Sequence, residues 1–334
     1  MSDILFLIEQ FPQLRVLVIG EAILDRYLYG SATRLCQETP VPVVSFSHCI
    51  DQPGGAANTA VNVQNLGAQV TLLSVIGRDW EGTRLQQALL DQNVESQDLV
   101  IASDRTTLTK QRVLDGDRML LRFDQGTTNS LSVDLENQLI QSIKTSWCES
   151  DAIIISDYGY GILTPRIINA IAQFQSQSSK ILVVDAKDLN RYQRLKATAV
   201  KPNYQQTLQL LNEPKLLDSK KVSRVNYIEA NAMTILNRTG AMIAAVTLDQ
   251  DGAILLQRHR SPHRIYANPA CPTRTIDAGD TFTAALTIAL ATGASPTIAA
   301  DLAAAAAIVV NKSGTAICTI EELKTNFLSV VSHP

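Results

Sequence analysis

Three observations predict an α/β fold with a mostly parallel central sheet. Short apolar runs end in glycine or a polar residue, helical patterns alternate with them along the chain, and 334 residues with 46% hydrophobic content suffice for one large core. The first run, RVLVIG (Arg15–Gly20), is apolar throughout, as a strand covered on both faces would be. AANTAVNVQNLGA (56–68) has helical spacing and stops at Gly67. QVTLLSVIG (69–77) reads as a second buried strand and WEGTRLQQALLDQN (80–93) as a second helix. DAIIISD (151–157), KILVVDA (180–186), ATAVKPN (197–203), MIAAVTL (242–248) and AILLQ (253–257) continue the strand series. Thr164-Pro165 is a capping residue followed by proline and opens the helix TPRIINAIAQF (164–174). SKKVSRVNYIEANAMTILNRTG (219–240) reads as one long helix ending at Gly240.

Two stretches depart from this rhythm. VPVVSFSHCI (41–50) alternates with period two, and TTLTKQRVLDGDRMLLRFD (106–124) is two strands around Asp115-Gly116, a strong hairpin signal. Alternation suits a sheet with one wet face. A single domain over 1–334 is therefore expected, with a discontinuous β lid from about residues 30–50 and 106–124.

Composition narrows the function classes. The net charge of −3 comes without a basic block, so no nucleic-acid partner is expected. No apolar run approaches the ~18 residues of a membrane span. The N-terminus MSDILFLIEQFPQLR is acidic and amphipathic, unlike a signal peptide. Five scattered cysteines without CxxC spacing read as reduced thiols in a cytoplasmic protein, and four isolated histidines give no metal-ligand pattern.

In an open parallel sheet ligands sit beyond the carboxyl ends of the strands. The polar residues at those ends are Glu21 and Asp25, Asp157, Asp185 and Lys187, Asn203, and Asp249. Asp25, in GEAILDRY, could accept two hydrogen bonds from a polyol or simply cap a turn. Gly54 and Gly55 precede an Ala-rich helix carrying Asn58, which suggests close approach of a ligand rather than a plain glycine turn. Lys110 and Arg112 share one face of a lid strand; they could meet a phosphorylated substrate or merely be solvated. In TRTIDAGDTFTAAL (273–286), the amides of Ala278, Gly279 and Asp280 would open a helix, a ready anion site. Asp280 could take a proton from an attacking hydroxyl, or be an N-cap. There is no GxxxxGK[ST], GxSxG or HExxH, and no GxGxxG after the first strand.

Taken in order, GEAILDRY, PGGAAN, TKQRVL, SDYGYG, VVDAK, KPN and DAGDTF resemble the motif series of the ribokinase-like (PfkB) carbohydrate kinases over nearly the full chain. LDRY with PVPVV, PGGAAN and SDYGYG is similar in particular to the bacterial D-glycero-β-D-manno-heptose-7-phosphate kinase branch. The resemblance implies a ribokinase-like three-layer sandwich whose β lid often joins two protomers, hence a homodimer. It also implies transfer of the ATP γ-phosphoryl group, with Mg²⁺, to a hydroxyl of a small-molecule sugar. By resemblance Asp25, Gly54, Gly55 and Asn58 hold the sugar, and Lys110 and Arg112 approach its phosphate. Asp157, Lys187 and Asn203 lie near the phosphates and metal, and Asp157 also borders the substrate. Thr247, Gly252 and the AAAAAIVVNKSGT helix and turn (303–315) border the nucleotide. Asp280 is the base, with Ala278 and Gly279 in the anion hole.

The chain departs from that pattern in one direction. Asp-x-Thr-Gly-Ala-Gly-Asp becomes Arg274-Thr275-Ile276-Asp277-Ala278-Gly279-Asp280, Asn-x-x-Glu becomes Asn203-Tyr204-Gln205-Gln206, and a Thr-x-Gly-x-x-Gly loop becomes TLDQDG (247–252) with Asp249 and Asp251. Tyr160 stands where lysine is common, and Glu21 where aspartate is usual. A carboxylate ~4 Å from a phosphate costs about 1 kcal/mol in water and several at lower dielectric. Two alternatives are therefore carried forward: a catalytically impaired sugar-phosphate-binding or regulatory protein, and a kinase for a neutral alcohol. No adenylyltransferase domain is expected within these 334 residues.

Overall fold

The apolar runs gather into one sheet. A computed structural model describes residues 2–214, 223–266, 278–309 and 317–331. In chain order the elements are α1 (Ser2–Glu9), β1 (Arg15–Gly20), β2 (Ala22–Leu35), β3 (Pro42–Gly55), α2 (Ala56–Asn65), β4 (Gln69–Leu73), β5 (Val75–Gly77), α3 (Trp80–Asp91), β6 (Val100–Ala102), β7 (Thr109–Asp115), β8 (Arg118–Gln125) and α4 (Val133–Glu149). Then follow β9 (Ala152–Asp157), α5 (Pro165–Gln177), β10 (Ile181–Ala186), β11 (Ala199–Val200), α6 (Tyr204–Leu211), α7 (Arg224–Ala230), α8 (Ala232–Thr239), β12 (Ile243–Thr247), β13 (Ala253–Gln257), β14 (His263–Ile265), α9 (Ala278–Ala291), α10 (Pro296–Val309) and α11 (Ile320–Val331).

The central sheet runs β14-β13-β12-β11-β10-β9-β1-β4, parallel from β12 to β4, with β13 antiparallel to both of its neighbours. Its strands are covered on both faces because alternate side chains feed separate cores. Val16 and Val18 pack with α2, α9 and α10, whereas Leu17 and Ile19 pack with α4, α5 and α8. The chain moves from β1 to β4 on one side and later to β9 on the other. That reversal opens a crevice between β1 and β9 at their carboxyl ends.

The second sheet, β3-β2-β7-β8, is the lid. It comprises two hairpins joined by parallel pairing of β2 with β7, and Gly116 (φ 57°) turns the β7–β8 hairpin. The hairpin over 106–124 is borne out. The other lid piece is larger than expected, since GEAILDRY is not a cap or turn but the inner end of the fourteen-residue β2.

Three further expectations are corrected. QVTLLSVIG is two strands: the chain leaves the central sheet at Ser74, whose buried Oγ accepts the Ala22 N–H at 3.0 Å, and β5 pairs with β6 instead. The long helix ending at Gly240 breaks at Asn231, where φ −102° and ψ 9° leave the helical region and Nδ2 bonds the Tyr227 carbonyl at 2.9 Å. ATAVKPN contributes only Ala199–Val200 to the sheet, because Pro202 lacks an N–H. The Thr164 cap holds, its Oγ1 accepting the Ile167 N–H. Among the described residues no helix is long and apolar enough to cross a membrane. Cys36, Cys49, Cys148 and Cys318 carry free thiols.

Candidate active site

α9 carries the expected base to the crevice. Asp280 lies in its first turn, buried, and Asn58 Nδ2 on α2 donates to its Oδ2 at 2.7 Å. Tyr158 donates its hydroxyl to Oδ1 at 3.1 Å. One turn along α2 from Asn58, Asn62 accepts the hydroxyl of Thr281, the residue after Asp280, on its Oδ1 at 2.6 Å, and its Nδ2 bonds the Asn58 carbonyl at 2.9 Å. This polar seam between α2 and α9 explains why an Ala-rich helix carries two buried asparagines. Each carboxylate oxygen has a second lone pair, so both donors can stay in place while a hydroxyl approaches.

The lid meets the base from above. Asp25 pairs with Arg112 at 2.6 Å, and both side chains are nearly buried. Arg112 is thus matched inside the protein before any substrate arrives, rather than being an open cation. A Cβ at Gly54 would overlap Asp25 Oδ2, and Gly55 (φ 60°) would bring a Cβ to 2.5 Å from the Glu21 carbonyl, so both positions need glycine. Lys110 stands opposite Asp25 on β2 and Asp124 on β8, with its ammonium 4.9 Å from the centre of the Tyr158 ring. Burial pulls the Lys110 ammonium below the ordinary lysine range; Asp25 and Asp124 oppose that shift and Arg122 and Arg112 reinforce it. Gln52, the cross-strand neighbour of Asp25, has a buried Oε1 with no donor among the described residues.

Across the crevice, buried Glu21 accepts N–H groups from Tyr158 (2.7 Å), Tyr160 (3.2 Å) and Ile162 (3.3 Å). Its carboxyl is pushed up to about 7 by burial and then by Asp157, against the lowering effect of those three amides. Asp157 is tied into the fold on the far side of Glu21. Its carboxylate accepts from Gly159 N (2.8 Å), Arg191 (2.7 Å) and the Tyr192 hydroxyl (2.5 Å), and it holds the 157–163 loop. Arg191 also donates to the Leu163 carbonyl.

The residues expected to border the nucleotide lie at the ends of β10, β11 and β12. Lys187 is exposed after β10, with its stem over Gly159. Asn203 and Thr247 form an isolated parallel bridge, and Gly252 (φ 83°) receives the Leu248 N–H at 2.7 Å. Asn203 caps α6: Oδ1 accepts the Gln206 N–H at 2.8 Å and Gln206 Oε1 accepts the Asn203 N–H at 2.7 Å. A capping box takes Glu or Gln alike, so Gln206 keeps the geometry and drops the charge. Asp249 is exposed, with φ 52°, and its nearest cation is Arg224 at 3.7 Å. Arg274, Asp277, Cys271 and the turn after α10 lie outside the described residues.

Lys201 is the residue sequence reasoning missed. It is buried, pairs with Asp185 at 2.9 Å, and lies where a Cβ on Gly279 would be 3.3 Å from its Nζ. Thr283 Oγ1 also donates to Asp185, at 3.1 Å. A cation in KPN directly after a strand was the available signal. Lys201 and the first amides of α9 converge on one spot, which suits a phosphate group. No group of three or more metal-ligating side chains occurs among the described residues.

Comparison with known proteins agrees with this arrangement. The profile described as pfkB family carbohydrate kinase matches residues 13–322. The chain is 33% identical over 325 residues to the bifunctional protein HldE of Koribacter versatilis (strain Ellin345), covering 96% of this chain and 64% of that protein. It is 34% identical over 324 residues to HldE of Gluconobacter oxydans (strain 621H), covering 96% and 66%. It thus spans about two thirds of the length of these relatives. Among solved structures, phosphofructokinase-2 from Escherichia coli in complex with potassium superposes with a TM-score of 0.75 at 18% identity over 95% of this chain and 99% of that one. Arabidopsis thaliana ribokinase complexed with ribose and ATP gives 0.71 at 18% identity, over 94% and 98%. The ribokinase-like fold and the family profile coincide on the same residues, and the chain belongs to the pfkB family of carbohydrate kinases.

Proposed function

We propose that this protein transfers the γ-phosphoryl group of ATP to a hydroxyl of a phosphorylated sugar, most specifically a heptose 7-phosphate, with Asp280 as general base. The observation that carries this reading is Asp280 at the start of α9, its two oxygens held by Asn58 and Tyr158, directly below Asp25 and Lys110 of the lid. Asp25 and the orphaned Gln52 Oε1 supply acceptors for sugar hydroxyls. Lys110, desolvated and close to Arg112, gains most from an anionic partner, which favours a sugar phosphate over a neutral alcohol.

On the donor side, Lys201, Lys187 and the α9 amides fit the triphosphate. ATP supplies the transferable phosphoryl group. Because Asn203 and Gln206 satisfy one another, Mg²⁺ would be held mainly by the phosphates and water. The chain's own work is to orient the acceptor hydroxyl, take its proton on Asp280 and neutralise the transferred charge. The chemistry and the relatives named HldE favour heptose phosphate among candidate acceptors.

A homodimer through the lid fits the exposed Leu35, Val41, Phe46, Met119 and Leu121 on it. Light scattering giving twice the 36.4 kDa chain mass is the expected result.

The added acid at Asp249 and Asp251 motivates the alternative of an impaired sugar-phosphate binder. Exposure of Asp249 weakens that reading, since solvent screens its charge. The test is ADP release with ATP and Mg²⁺ across phosphorylated and neutral sugars. Asp280→Asn should lower kcat by about 10²–10⁴-fold. Sugar-phosphate binding by calorimetry with no turnover under any nucleotide would select the binder instead. Lys110→Met should raise KM for the phosphorylated sugar by about tenfold and leave any neutral-sugar rate unchanged.

A further inference from the structure

The loop after β9 links the base to the phosphate-binding cation. Its backbone is fixed across the crevice by Glu21, through the N–H groups of Tyr158, Tyr160 and Ile162. Its first side chain, Tyr158, is then held between α9 and β7. The hydroxyl donates to Asp280 Oδ1 on α9 at 3.1 Å, and the ring face supports the Lys110 ammonium of β7 at 4.9 Å. The titratable groups facing it are Asp280 from α9, Asp185 from β10, Asp25 from β2, Lys110 from β7 and, at its backbone, Glu21. A phenol buried among carboxylates keeps its proton, so Tyr158 can only donate to Asp280.

We infer that Tyr158 is a positioning residue that couples the two ends of the acceptor pocket, aiming the Asp280 carboxylate at the attacking hydroxyl while seating the Lys110 ammonium that meets the substrate's phosphate. The role of the contact in turnover rests on the kinase reading above; the contact itself does not. The two functions separate by atom. The hydroxyl serves the base, and the ring serves the cation.

Tyr158→Phe keeps the ring and removes the donor. It should lower kcat about tenfold, leave KM for the sugar phosphate within about twofold, and move the acid limb of the kcat–pH profile up by about one unit, because a carboxylate that loses a donor becomes more basic. Tyr158→Leu should raise KM for the sugar phosphate as well. A residue that only fills space would leave the acid limb where it is.

The same contact can be read without turnover, from the ¹³C carboxyl titration of Asp280 in the full-length protein, with the resonance identified by its loss in Asp280→Asn. If the wild type turns over and Tyr158→Phe matches it in kcat and acid limb, the inference is overturned and the kinase reading stands. If the wild type turns over no phosphorylated sugar, that reading fails and the titration decides. An upward shift in Tyr158→Phe supports the coupling, and an unmoved midpoint overturns it. Should Tyr158→Phe not fold, Tyr158→3-fluorotyrosine, a more acidic phenol of nearly equal size, should shift the midpoint downward, and no shift overturns the inference.

Discussion

The proposed acceptor side and the proposed nucleotide side of the crevice are built on different electrostatic plans. On the acceptor side, buried charges meet partners at hydrogen-bond distance: Asp25 with Arg112 at 2.6 Å and Asp280 with Asn58 at 2.7 Å. On the nucleotide side one buried pair, Lys201 with Asp185 at 2.9 Å, lies beneath a solvated rim in which Asp249 is exposed with a cation at 3.7 Å, Lys187 is exposed, and Asn203 and Gln206 satisfy each other. A pre-paired, desolvated pocket discriminates among ligands, because a wrong partner leaves buried groups unmatched. A solvated rim can tolerate changes of charge at small cost. Of the departures from the family pattern within the described residues, Asp249, Asp251 and Gln206 fall on the tolerant side, while Glu21 is buried across the crevice and Tyr160 is half-buried on the loop that Glu21 holds.

The comparison can be broken most sharply at Asp25. Asp25→Ala leaves Arg112 buried and unpaired, and should cost about 3 kcal/mol of stability by urea unfolding along with loss of sugar binding. A cost below about 1 kcal/mol would show that the acceptor side is not pre-paired in the way its distances indicate.

Glu21 tests the same plan through pH. Its carboxyl sits at about 7 when folded against an ordinary 4.5, so between those values the native state binds more protons than the unfolded chain. Stability then falls as pH rises through that window, by an amount on the order of 3 kcal/mol. Glu21→Gln should remove that slope. Urea unfolding of both proteins at pH 5 and pH 8 reads it as a change in their difference, and a constant difference would contradict the raised value.

The smallest effect is expected on the tolerant side. Gln206→Glu preserves the α6 capping box and should alter stability by less than about 0.5 kcal/mol. It should nonetheless lower the Mg²⁺ concentration needed for half-maximal rate. An unchanged Mg²⁺ requirement would place residue 206 outside the field of the metal.

Much of the fold could be read from local pattern. Strands buried on both faces announce themselves as unbroken apolar runs, as in β1, β9 and β10. The Asp115-Gly116 turn and the Thr164 cap follow from backbone chemistry alone. β2 was hidden because one strand passes from full burial at Ala22 to exposure at Leu35, so no single period describes it. The Asn203–Gln206 box was legible as an N-cap three residues before Gln, but the family pattern drew attention to its missing charge instead. In the site, Asp280, Asn58, Asp25 and Gly54 were readable from motifs. Glu21 was readable as a strand-end polar residue, but Lys201 and Tyr158 were not, because their partners lie on elements far away in sequence.

β2 has a mechanical consequence. It is one uninterrupted strand from the buried Ala22 to the exposed Leu35, with pairing irregularities between Tyr29 and Gly30 and between Ser31 and Arg34. The lid is therefore a cantilever rather than a flap, anchored beside β1 and able to flex chiefly at those two joints. A load on its free end twists the segment that carries Asp25. Whatever grips the tip, a second copy included, is connected to Asp25 through β2 and to Asn58 through β3, which runs on into α2.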